Sequence, residues 1–99
     1  PAPDDADHRR SWFVYVVKLD PAFDRSAVMD ALRSEGVATA EYVPCIHLQP
    51  YMRERYGFAE GLCPVAESTA RRTLALPFFT QITAEEQQRV VEVLGPALA

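Results

Sequence analysis

The chain has 99 residues, enough for one hydrophobic core and one domain of ordinary size. Hydrophobic residues at 48% and charged residues at 24% are globular values, which excludes a disordered, collagen-like or low-complexity chain. Ten basic against fourteen acidic side chains give a formal charge of −4. That excludes a nucleic-acid binder resting on a positive field, and apolar runs such as Trp12–Val17 fall far short of the ~20 residues needed to cross a bilayer.

Residues 1–10 lack periodicity and read as a solvated tail or a linker from an upstream domain. Pro-Ala-Pro-Asp-Asp has neither a basic n-region nor an apolar h-region, so a cytoplasmic protein is the expectation. Ser11–Leu19, rich in aromatic and β-branched residues, predicts a strand. Apolar on both faces, it is expected in the centre of a covered sheet, with Trp12, Phe13 and Tyr15 in the core and Lys18 reaching solvent. Asp24 then caps a helix to about Glu35, with Val28, Ala31 and Leu32 as its stripe, Met29 beside them and Gly36 as terminator.

Val37–Val43 resumes an extended pattern. The segment Pro44-Cys-Ile-His-Leu-Gln-Pro50 is bracketed by prolines, which predicts a rigid loop. Pro50–Tyr56 suggests one or two helical turns stopped by Gly57. Pro64 suits the first position of a helix to about Thr73, with Ala66, Ala70 and Thr73/Leu74 inward. Leu74–Pro77 is a short strand-like exit, and Pro77-Phe78-Phe79 a buried turn. Thr83-Ala-Glu-Glu86 is a capping box opening a last helix that buries Val90, Val91 and Leu94 and ends at Gly95-Pro96. No internal repeat is visible.

Few residues carry chemistry. His47 lies in the braced loop straight after a strand, where an imidazole could meet a polar ligand; the alternative is a half-buried histidine bonded to a loop carbonyl. In extended geometry Gln49 points the same way, making a paired polar grip. Cys45 sits on that side too, but no third group or oxyanion-hole motif supports a nucleophilic pair. The cysteines, 45 and 63, fit no zinc or C-x-x-C spacing and read as reduced thiols. Asp4, Asp5, Asp7 and His8 read as solvated charge rather than a metal site. Arg71-Arg72, in the last turn of a helix, complements its dipole and could alternatively meet a phosphate. Four scattered glycines match no phosphate-cradling loop.

The ordered series Tyr42-x-Pro44-x-x-His47-Leu48-Gln49-Pro50-Tyr51, Pro64-x-Ala66-Glu67, Leu74-x-Leu76-Pro77 and Thr83-x-Glu85-Glu86-Gln87 closely resembles the C-terminal region of the DegT/DnrJ/EryC1/StrS family, pyridoxal-phosphate-dependent nucleotide-sugar aminotransferases. The opening strand and the Asp24–Gly36 helix match in order, so the resemblance covers about residues 11–95.

The resemblance implies an α+β small domain over residues 11–99: a short, mostly antiparallel sheet with three to four helices packed on it. It implies a homodimer with active sites at the subunit interface, and passage of an amino group, usually from glutamate, to a keto sugar on a nucleoside diphosphate. The proline-bracketed loop lies at the active-site mouth in the family. The resemblance thereby assigns substrate contact to His47 and, more weakly, to Tyr42 and Gln49. Nine of the ten basic residues are Arg; the lone Lys18 sits in a strand and matches no catalytic motif. The pyridoxal phosphate and its Schiff-base lysine are therefore expected on a large domain absent from this chain, which alone would be inactive and hold no catalytic, cofactor or metal residue. Cys45 and Thr80 stand where relatives often carry proline. A sugar dehydratase of the same family and a free-standing, non-catalytic binding module remain alternatives.

Overall fold

A computed structural model describes residues 4–99; residues 1–3 of the expected tail lie outside the described residues. From Asp4 to Val14 the chain makes bends without helix or strand. The elements that follow are β1 (Tyr15–Lys18), α1 (Arg25–Ser34), β2 (Ala40–Glu41), a single 3₁₀ turn (Ile46–Leu48), α2 (Pro50–Tyr56), α3 (Pro64–Ala70), β3 (Thr73–Leu76) and α4 (Ala84–Ala97). The architecture is the expected small α+β domain, four helices with an antiparallel sheet in the order β1-β3-β2.

The central strand is β3, not β1. Tyr15 pairs with Leu76 and Lys18 with Thr73 on one side, while Ala40 pairs with Ala75 and Glu41 with Leu74 on the other. The apolar run over 11–19 yields only four strand residues at a sheet edge. Trp12 and Phe13 precede the ladder and are exposed, Phe13 at 76%. They and Tyr15 are not core: Trp12, Tyr15 and Phe78 form a surface aromatic trio with ring centroids 6.0–6.5 Å apart. Phe78 and Phe79 are likewise exposed, so Pro77–Phe79 is not a buried turn.

Both long helices pack on the core. The Asp24 side chain accepts the Ser26 N–H at 2.9 Å, satisfying one free amide of α1. Val28 and Leu32, four residues apart, bury the inner stripe with Met29 half-covered; Ala31 faces out. Gly36 adopts a positive φ of 79° just past the helix, where a side chain would be strained. In α4, Thr83 Oγ1 accepts from Glu86 N (3.1 Å) and Glu86 Oε2 from Thr83 N (2.8 Å), the expected capping box. Its inner face is Val90, Val93, Leu94 and Ala97; Val91, one position off, is 63% exposed. Gly95-Pro96 does not end this helix, because a proline in the last turn costs only one backbone bond. The core is Leu19, Val28, Leu32, Val37, Leu74 and Val93.

The expected helix over 64–73 stops at Ala70, and Thr73 and Leu74 belong to β3. Arg25 ties that corner: its guanidinium donates to the Ala70 carbonyl (2.6 Å) and pairs with Glu41 (2.7 Å). Among the described residues no helix is long and apolar enough to cross a membrane.

Candidate functional site

Pro44 and Pro50 do brace their segment, but its middle is a turn rather than a strand. Leu48 N–H donates to Cys45 O and Gln49 N–H to Ile46 O, both at 3.1 Å, which winds residues 46–48 into 3₁₀ geometry. With about three residues per turn, positions two apart point away from each other. The paired grip expected of His47 and Gln49 is therefore absent: His47 turns inward, 9% exposed, while Gln49 is exposed.

What His47 meets inside is Glu67 on α3. Their Nε2 and Oε1 atoms are 2.9 Å apart, and Glu67 is 4% exposed. This carboxylate also accepts the Gly61 N–H on both oxygens (3.0 Å each) and the Cys63 N–H at 3.1 Å. A carboxylate in such a ring of donors stays ionised. The Gly61 amide, the His47 ring and the Cys63 amide together hold it down to about 2. An ionised carboxylate offers only lone pairs, so His47 Nε2 carries the hydrogen and donates it. The imidazole is bonded to an acid rather than to a loop carbonyl.

Sequence spacing alone assigns Glu67 no role. The expected inward positions on its helix were Ala66 and Ala70, yet Ala66 is exposed and Glu67 takes the buried place. A glutamate in the first turn of a proline-led helix ordinarily reads as a solvated complement to the dipole. A usable signal was present: Glu67 lies four residues after Cys63, within reach of that residue's own amide.

Beside the turn is a cleft of about 240 Å³, walled by Pro44, Cys45, Leu48 and Gln49 on one side and Arg25 and Arg71 on the other. Gln49 lines it; His47 and Tyr42 do not. Tyr42 is half-buried, and its carbonyl accepts the Thr73 hydroxyl, fastening the chain to β3 ahead of the turn. The structure thus brings Gln49 to the cleft, sets His47 in the adjoining buried pair and keeps Tyr42 at the strand.

Of the other candidates, Arg72, Asp5 and His8 have structural partners. Both cysteines are free thiols, and Cys45 makes no hydrogen bond to His47. Arg72 Nε donates to the Leu19 carbonyl at 2.8 Å, latching the exit of β1 to the entry of β3. Asp5 accepts from the Asp7 and His8 amides and pairs with the His8 ring at 2.9 Å; the His8 ring and the Asp7 amide lower its carboxyl below the usual range. Among the described residues no three His, Cys, Asp or Glu side chains converge as metal ligands. Lys18 is exposed on the edge strand and lines neither the cleft nor the neighbouring grooves. An amine that must condense with a cofactor aldehyde needs an enclosed site, which Lys18 does not have among the described residues.

The comparisons agree with the motif order. The sequence model of the DegT/DnrJ/EryC1/StrS aminotransferase family matches residues 1–95. The spore coat polysaccharide biosynthesis protein SpsC of Bacillus subtilis (strain 168) is 28% identical over 92 residues, covering 89% of this chain and 24% of that protein. A pleiotropic regulatory protein of Geobacillus stearothermophilus is 41% identical over 72 residues, covering 72% of this chain and 19% of that protein. The chain spans about a quarter or less of the length of these curated relatives. On the family match over nearly its whole length, the chain belongs to the DegT/DnrJ/EryC1/StrS aminotransferase family.

Proposed function

We propose that this chain is the C-terminal small domain of a pyridoxal-phosphate-dependent aminotransferase that passes an amino group, from glutamate, to a keto sugar linked to a nucleoside diphosphate. The cofactor and its Schiff-base lysine belong to a large domain outside these 99 residues. The protein acts as a cytoplasmic homodimer, and this chain supplies substrate-side groups, with His47 foremost and Gln49 and Tyr42 secondary. Family membership and the polysaccharide-biosynthesis name of one relative support the sugar substrate. The observation that carries the His47 assignment is its buried pair with Glu67, which joins two of the family-like motifs through one hydrogen bond. A preoriented imidazole beside a cleft is a better recognition group than a mobile one, because less ordering remains for the ligand to drive.

The test uses the full-length enzyme. His47→Ala should raise the KM for the nucleotide sugar or lower turnover by about tenfold, the worth of one good hydrogen bond to substrate, while cofactor absorbance stays normal. Unchanged KM and turnover would remove the substrate role from His47.

A further inference from the structure

We propose that Glu67 is a positioning residue for His47, holding the imidazole with Nε2 as donor to the carboxylate so that Nδ1 is the ligand-facing atom and takes a hydrogen-bond donor such as a sugar hydroxyl. This rests on the reading that His47 contacts substrate and adds which atom does so and what chemistry it accepts.

The geometry limits the alternatives. Glu67 Oε1 lies 2.9 Å from His47 Nε2, 3.1 Å from Cys63 N and 3.0 Å from Gly61 N, and Oε2 lies 3.0 Å from Gly61 N. Every partner around this carboxyl is a donor, so a proton on it would face donors alone. The other tautomer would aim a lone pair of Nε2 at a lone pair of Oε1, which is repulsive.

Nδ1 is in a different position. Among the described residues it makes no hydrogen bond, and no buried side-chain nitrogen or oxygen lacks a partner. Nδ1 is therefore not fully enclosed, although the residue as a whole is buried. In the neutral ring it carries a lone pair, which suits a hydroxyl or amine donor and rejects a bare carbonyl oxygen. Glu67 also clamps Gly61 and Cys63, so the loop before α3 is held to the same imidazole.

Nitrogen-15 NMR of the full-length protein with labelled histidine, at a pH where the ring is neutral, reads the tautomer directly. The His47 signals are assigned by their loss in His47→Ala. Wild-type protein should show Nε2 protonated and Nδ1 bare; Nδ1 protonated in the wild type overturns the proposal. Glu67→Gln should mix the tautomers and lower kcat/KM for the nucleotide sugar about 10- to 100-fold, the usual cost of losing the partner that orients a functional histidine. The KM for the amino donor should hold. Wild-type tautomer and kcat/KM retained in Glu67→Gln also overturn it. If His47→Ala is silent in kinetics, the substrate role fails, whereas the tautomer result still judges Glu67 on its own. Wild-type NMR keeps the test decisive should Glu67→Gln fold poorly.

Discussion

Three donors converge on the carboxylate of Glu67, and two of them are backbone amides that cannot titrate away. Its folded-state value of about 2 lies below the ordinary 4.5, so the unfolded chain binds the proton more readily. The stability this contributes is fully present above about pH 4.5 and is lost as the pH falls from there toward about 2. Acidification through that window should free the Gly61 and Cys63 amides. Their chemical shifts and hydrogen exchange should change together, centred well below pH 4.5. A midpoint at the ordinary glutamate value would mean that the carboxylate is not held by these donors. His47 stood out in the sequence because histidine between two prolines is conspicuous, whereas Glu67, a common helix residue, did not. Partnership twenty residues apart is set by how the turn and α3 meet, which no local pattern encodes.

Helices were more legible than strands. The Asp24 and Thr83 caps and the glycine after α1 act within a few residues, so sequence spacing specifies them. Faces were harder. The apolar spacing places Val28 and Leu32 inward, as the structure has them, but it also places Ala31 and Val91 inward and both lie outward, because an apolar residue at a face boundary goes where the neighbouring element leaves room. The two helices supply a stability contrast. Leu32→Ala, at a fully buried position, should cost about 2–5 kcal/mol. Val91→Ala should stay within about 0.5 kcal/mol, since alanine is also the better helix former. Denaturant midpoints of the two variants check the pair, and equal losses would contradict the assigned faces.

Across the whole molecule, the radius of gyration is 16.0 Å, against about 13 Å for a compact domain of this length. Among the described residues six buried apolar residues make a small core, and Ile46, Tyr51, Leu62 and Val65, in and around the 3₁₀ turn, α2 and α3, are exposed. In isolation the chain should therefore unfold with a shallow urea dependence, near about 1 kcal/mol/M, because the slope follows the surface newly exposed. A slope of about 2 kcal/mol/M or more would show a larger core. The chain spans about a quarter or less of the length of these curated relatives.

Composition, capping and motif order were enough to determine the α+β class, the capped starts of α1 and α4 and the family, since each depends on residues close together or on their order along the chain. Which strand is central was decided only in three dimensions. Thr73–Leu76 is no more strand-like locally than Tyr15–Lys18, yet it alone finds a partner on both edges. The inward turn of His47 onto Glu67 was decided there too: a 3₁₀ turn replaced the extended backbone and separated His47 from Gln49, the residue it was expected to work beside.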